Sequence, residues 1–223
     1  GGFLLQFYRA LLLVLAFTLS CAPFVHAQKS PEPIPGVHIP NGDIPWAVDV
    51  FDGKQQIVPI HHTTIELNNH TGANVAGSLA GSFFYKPKVT TEVNGTHAGV
   101  SLHTDKPVFY VHVMDDPGRD SSDVLAYWAI VRATIKKDRR VLAQIKFTQL
   151  TGKAKRSDSQ VDVNIEKLAD GWLKITPTNS LTPGEYALQP VPKGQNTFST
   201  VIFDFAIDPK APNAPDALSA PSS

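Results

Sequence analysis

The chain has 223 residues, with 20 Lys+Arg against 20 Asp+Glu, a formal net charge of +0 and a single cysteine. A protein that grips nucleic acid needs a basic face to displace counterions from phosphate, and this balance argues against one. The length is enough for one sizeable core or two small ones.

The first elements concern export. Arg9 precedes an apolar run from Ala10 to Leu19, and "VHA" (Val25 to Ala27) precedes Gln28. Small side chains three and one residues before a cut fit signal-peptidase cleavage, so residues 1–27 are expected to be a signal peptide. The run is short for a membrane span of roughly 20 residues. Two rival readings stand beside this one: an uncleaved anchor, and a lipoprotein attached at Cys21, although "TLSC" puts Thr18 where lipidation favours Leu. Cleavage after Ala27 would leave no cysteine, hence no disulfide and no thiolate site, which fits a bacterial envelope better than an animal secretion. Periplasmic or extracellular residence is therefore expected, with no stable membrane span after cleavage. The sequons at Asn69 and Asn94 would matter only in a eukaryotic secretory pathway.

Residues 28–45 carry five prolines and read as an extended linker or a strap lying on the domain. The core is expected over residues 46–207, and successive strands are predicted along it. "WAVDVF" and "QQIVPI" flank Asp52-Gly53, a two-residue hairpin signal because both positions tolerate positive φ. "TTIEL" alternates. "NVAGSLAGSFFY" reads as a glycine-rich strand with a bulge or bend. "AGVSLHT" and "PVFYVHV" are expected to pair as a hairpin.

In "YWAIVRATI", Ala129, Val131, Ala133 and Ile135 share one face at period two. In "VLAQIKF", Val141, Ala143, Ile145 and Phe147 do the same. The segment Lys136 to Arg140 between them then reads as a charged hairpin tip, with anion or headgroup contact as the rival. A helix from Ser122 to about Lys137 competes for this stretch. "VDVNIEK", "WLKITP", "EYALQ" and "STVIFDFAI" complete the strands. Pro183 presets φ in a turn, Gly184 accepts positive φ, and Tyr186 is expected to bury its ring with the hydroxyl at an edge. The last stretch, residues 208–223, holds four prolines and almost no large apolar side chain, and is expected to be a disordered tail.

Five pieces in this order, "VFDGKQQIVPI", "SLHTDKPVFYVHV", "IKKDRRVLAQIKF", "LKITPTNSLTPGEYAL" and "FDFAI", carry a resemblance. The chain resembles a group of uncharacterised secreted bacterial β-rich proteins over Ala47 to Ile207. The resemblance implies export and a β-rich fold. It brings no activity and no catalytic residue.

Candidate chemistry is sparse. His103 and His112 would face each other across the expected hairpin and could bind zinc or copper, with His70 and His97 completing a site from loops. His61-His62 followed by Glu66 lacks the spacing that puts two imidazoles on one strand face. Asp115, Asp116, Asp120 and Asp123 crowd one short loop where oxygen ligands could hold calcium, although the spacing is not that of an EF-hand. Trp46, Trp172 and Tyr186 follow turns and could form an aromatic platform for a sugar. There is no Gly-x-Ser-x-Gly elbow, no phosphate-binding loop and no dinucleotide fingerprint. A paired-carboxylate hydrolase is set by tertiary structure and stays open.

The expectation is an all-β, antiparallel β-sandwich, immunoglobulin-like or related. Its expected role is a non-catalytic interaction module whose partner is an envelope or surface protein, with no cofactor and no nucleic acid. A carbohydrate- or metal-binding domain and an unrecognised hydrolase are the alternatives.

Overall fold

The computed structural model describes residues 33–34, 36–79, 86–113, 128–147, 154–190 and 199–219. The expected signal peptide and Cys21 lie outside these residues. The described residues belong to one compact unit, Glu32–Ser223. The architecture is an all-β sandwich. Among the described residues no helix is long and apolar enough to cross a membrane.

The strands form three sheets. In the first, β1 (Trp46–Phe51), β2 (Lys54–Pro59), β6 (Val108–His112), β12 (Val163–Lys167), β13 (Trp172–Pro177) and β16 (Leu218–Ser219) run in the order β12-β13-β6-β1-β2-β16. The second has β5 (Ser101–Leu102), β7 (Trp128–Arg132), β11 (Gln160–Val161), β14 (Gly184–Pro190) and β15 (Phe203–Ile207), in the order β11-β7-β14-β15-β5. The third has β3 (Glu66–Asn68), β4 (Lys88–Asn94), β9 (Arg139–Phe147) and β10 (Ala154–Asp158), with β8 (Thr134–Lys136) paired to β9. Pairing is antiparallel except between β15 and β5. Among the described residues one helix, α1, spans Thr71–Leu79.

Period-two alternation sorts the core. Ala47, Val58, Phe109, Val111, Leu173 and Ile175 of the first sheet meet Ile130, Tyr186, Leu188, Phe203, Phe205 and Ile207 of the second. The other face of the second sheet sets Ala187 against Val93 and Leu142 of the third. The second sheet is therefore the middle layer, which is why all five residues of β15 are buried, Asp204 included. Asp52 and Gly53 both have positive φ (49° and 73°), so the first hairpin closes as a primed turn matching the strand twist. The Tyr186 hydroxyl donates to the Thr182 carbonyl at 2.7 Å, the tyrosine corner typical of immunoglobulin-type sandwiches.

Several expectations differ. Residues 74–79 of the small-residue segment expected as a strand lie in the helix α1, and its residues 80–85 lie outside the described residues. Small residues there give a strand little to bury, whereas a helix satisfies its backbone internally. Asn74 ties α1 to β4, donating to the Lys88 carbonyl at 3.0 Å. Residues 128–136 form no helix. They form two strands, since the chain leaves the second sheet after Arg132 and joins the third at Thr134. Likewise 160–167 divides between two sheets at Asp162.

On β9 the register slips between Thr91 and Glu92, leaving Leu142 as the extra residue of a bulge. The bulge reverses the faces: Ala143 and Ile145 are buried on one side of it, and Leu142 and Arg140 on the other. The charged segment is thus only partly a solvated tip. Lys136, Lys137 and Asp138 are exposed, while Arg140 is 3% exposed.

Both ends of the described stretch pack on the sheets. Ile34, Val37 and Ile39 of the N-terminal arm are buried against Trp46, Ile57, Tyr110 and Trp172 on the outer face of the first sheet, so this arm is a strap. The tail expected to be disordered is placed as far as Ser219. Ala214 and Ala217 pack against the main core, and Leu218 and Ser219 pair with Ile57 and Gln56. Small side chains bury little area each, and here backbone and polar contacts supply the anchorage that composition does not reveal.

Candidate functional site: the tail-covered edge of the first sheet

Three features meet at the outer edge of β2: the tail, a buried polar network and a cavity. The network centres on Asp49, which alternation places on the inner face of β1 beside Ala47 and which is fully buried. Its carboxylate accepts from the His103 amide (2.8 Å), the Thr104 amide (2.9 Å), Gln56 Nε2 (3.1 Å) and His103 Nδ1 (2.7 Å). Gln56 also donates to Asn213 of the tail at 2.8 Å, and His103 Nε2 lies 3.1 Å from the Ala211 carbonyl. Burial works against the Asp49 charge, yet the bonds from His103, Thr104 and Gln56 hold its pKa below the usual carboxylate value. Burial likewise works against a charged His103, but the bonds to Asp49 and Ala211 and the charges of Asp49 and Asp208 raise its pKa.

Beside this network lies a cavity of 140 Å³. Val58, Pro59 and Val100 give it apolar walls, and tail residues Ala214, Pro215 and Asp216 border it. His61 and Asp216 stand 3.3 Å apart at its exposed side, and Asp204 lines it as well. Asp204 belongs to a second buried cluster, between the middle and third sheets. Arg140 Nη1 donates to Asp204 at 2.5 Å and to Glu185 at 3.3 Å, and its other nitrogens reach the Gly95 and Asn94 carbonyls. Thr63 donates to Asp204, and the Ala98 amide donates to Glu185 at 2.7 Å.

An open groove of 490 Å³ lies elsewhere, on the third sheet, lined by Glu66, Leu67, Asn68, Asn69, His70, Thr71 and Arg139. Glu66 and Glu92 are directly opposed across β3 and β4. Arg139 pairs with Glu66 and reaches Glu92 at 3.8 Å. The Arg139 and Asn94 bonds hold Glu66 below the usual carboxylate range. Burial, then the Lys88 charge, lowers the His70 pKa. A general acid must be protonated near neutrality, and a lowered pKa keeps Glu66 ionised.

The residues singled out in the sequence are scattered. His103 and His112 do not face each other, because β5 belongs to the second sheet and β6 to the first. His112 rests on Trp172 with ring centroids 5.0 Å apart, and its Nε2 lies 3.1 Å from the Asp170 carbonyl. His70 and His97 sit apart from both, against Thr90 and Glu185 respectively. Asp115, Asp116, Asp120 and Asp123 lie outside the described residues. Among the described residues no group of three or more His, Cys, Asp or Glu side chains is placed to hold a metal. Trp46 and Trp172 do come together around Tyr110, but beneath the strap, where Trp46 donates its indole N–H to the Asn41 carbonyl at 2.6 Å. Tyr186 lies in the main core, 2% exposed.

Sequence reasoning missed Asp49, Gln56, Arg140, Glu185 and Asp204. The available signal was a lone carboxylate inside an apolar strand, in "WAVDVF" and again in "IFDFAI". Compared with protein-family models, with curated proteins and with solved structures, the chain finds no match in any of the three.

Proposed function

We propose that the chain is an exported, non-catalytic interaction module of a bacterial envelope that receives its partner as an added strand on the edge of the first sheet at β2. The observation that carries this reading is the tail itself, which lies on that edge as a ligand would. Its Ala211 carbonyl meets His103, Asn213 meets Gln56, Asp216 meets His61, and Leu218 lies opposite Ile57. β2 has six residues, and β16 pairs with two of them. An edge with unpaired backbone groups is a template for an extended segment, whose ladder bonds give affinity and whose alternate side chains give specificity.

The tail also describes the partner: an extended segment offering a carbonyl to His103, an acidic side chain to His61 and an apolar side chain opposite Ile57. The leader-like residues 1–27, the cysteine-free remainder and the resemblance to secreted bacterial proteins support the export part of the reading.

Substituting Leu218→Pro in the whole chain tests the docking part. Leu218 is 40% exposed, so the change should spare the core while lifting β16 from β2. A labelled peptide of residues 208–223 should then bind the variant at least about tenfold tighter than the wild type, whose tethered tail competes at high effective concentration. No saturable binding to the variant, or equal binding to both chains, would refute the reading.

A further inference from the structure

We infer that His103 is a proton-operated latch that holds the tail over the β2 edge, closed while its imidazolium carries both protons and released when one leaves. Its regulatory role rests on the strand-docking reading above, but the latch itself stands on geometry. His103 Nδ1 lies 2.7 Å from Asp49 Oδ2 and its Nε2 lies 3.1 Å from the Ala211 carbonyl. Both neighbours are acceptors. A carbonyl never donates, and Asp49 already receives three other donors, as an ionised carboxylate does. Two acceptors need two N–H groups, and only the imidazolium has both.

A neutral ring keeps one proton. The buried, charge-assisted bond to Asp49 is the stronger and retains it on Nδ1. Nε2 then turns a lone pair toward the carbonyl oxygen, and the contact with Ala211 becomes repulsive. Ala211 is the first residue of the tail to be pinned after the turn in which its amide bonds to the Asp208 carbonyl. Asn213, the cavity border and β16 follow it in sequence, so loosening Ala211 frees the route to the β2 edge.

The surroundings act in the same direction. From β1, Asp49 contributes a negative charge and Phe51 a ring whose centroid is 4.7 Å away. The start of the tail contributes the Asp208 charge. The other neighbours, Gln56 of β2 and Asn213 of the tail, are neutral. His103 has its pKa raised, so its contribution is complete below the ordinary histidine value and is lost as pH rises through the raised one. Asp49 has its pKa lowered, so its contribution is complete above the ordinary carboxylate value and is lost only as pH falls through the lowered one. The latch is therefore shut between the lowered Asp49 pKa and the raised His103 pKa, and opens as pH rises through the latter.

The test uses the full chain. Amide hydrogen exchange across residues 208–219 is followed from about pH 5 to about pH 9 with intrinsic rates divided out, alongside the ring ¹⁵N shifts of His103. The expected result is a His103 with both nitrogens protonated while the tail is protected. Tail protection should then fall by roughly tenfold or more, following the His103 titration, while β13 and β15 stay unchanged. The His103→Gln variant, which cannot titrate, should give a tail whose protection is flat with pH. A neutral His103 beside a protected tail, or wild-type protection that is flat through the His103 titration, would overturn the latch. Labelled-peptide binding separates the two readings. If the peptide fails to bind while tail protection follows His103, docking fails and the latch stands. If it binds the Leu218→Pro chain while wild-type tail protection stays flat through the His103 titration, the latch fails and docking stands.

Discussion

Arg140→Ala should cost about 3–5 kcal/mol of folding stability, read as a fall in the denaturation midpoint at unchanged slope. The guanidinium bridges Asp204 and Glu185, which are 5% and 6% exposed. Removing it leaves two buried carboxylates held by neutral donors, and desolvation then outweighs what Thr63 and the Ala98 amide can return. The neighbouring residue makes the contrast. Arg139 pairs with Glu66 where both side chains meet solvent, so Arg139→Ala should leave the denaturation midpoint nearly unchanged. Adjacent arginines in one basic run thus separate into a structural cation and a surface one. Strand alternation separates them, and the bulge at Leu142 makes Arg140 the one that turns inward.

Asp49→Ala should be the second large effect, about 3 kcal/mol or more. It strands two backbone amides and His103 Nδ1 and leaves Gln56 Nε2 with Asn213, around a carboxylate that is itself fully buried. The loss should show a signature beyond stability. Without the carboxylate, a neutral His103 can keep its single proton on Nε2 for the Ala211 carbonyl, so the pH dependence of tail protection should flatten. Asp49→Asn keeps the shape and removes the charge, and should retain the fold better than alanine while losing the same pH dependence. A fall in stability with tail protection and its pH profile intact would break the link between Asp49 and the tail.

The strands whose two faces differ were legible in the sequence. Asp52-Gly53 announced its hairpin, the charged tip after Ile135 announced another, and Tyr186 after Pro183-Gly184 announced a buried ring. The middle sheet was harder, because it is covered on both sides. Phe203-Asp204-Phe205 alternates as if one face were wet, but that polar face is where Arg140 arrives from another sheet. Bulges are equally hidden: nothing in "VLAQIKF" shows that Leu142 is an inserted residue that reverses the faces.

The candidate site was the least legible part. It joins β1, β2, the end of β5 and the tail, with Asp49 and His103 separated by 54 positions and His103 and Ala211 by 108. His103 was visible as a histidine worth noting, but the partners that define its chemistry are long-range. The expected pairing with His112 failed because the chain changes sheets between β5 and β6. The tail's composition predicts weak packing, and its hold comes from a few directed polar contacts that composition does not encode.

The most direct test of strand docking is where the peptide lands. The labelled peptide of residues 208–223 is titrated into the isotope-labelled Leu218→Pro chain while its amide resonances are followed. Strand addition predicts shifts in β2 from Lys54 to Pro59 and at Asp49 and His103, with cross-strand contacts from the peptide to Gln56 and Ile57. Shifts confined to the groove of Glu66, Asn68, His70 and Arg139, or no shifts at all, would contradict it.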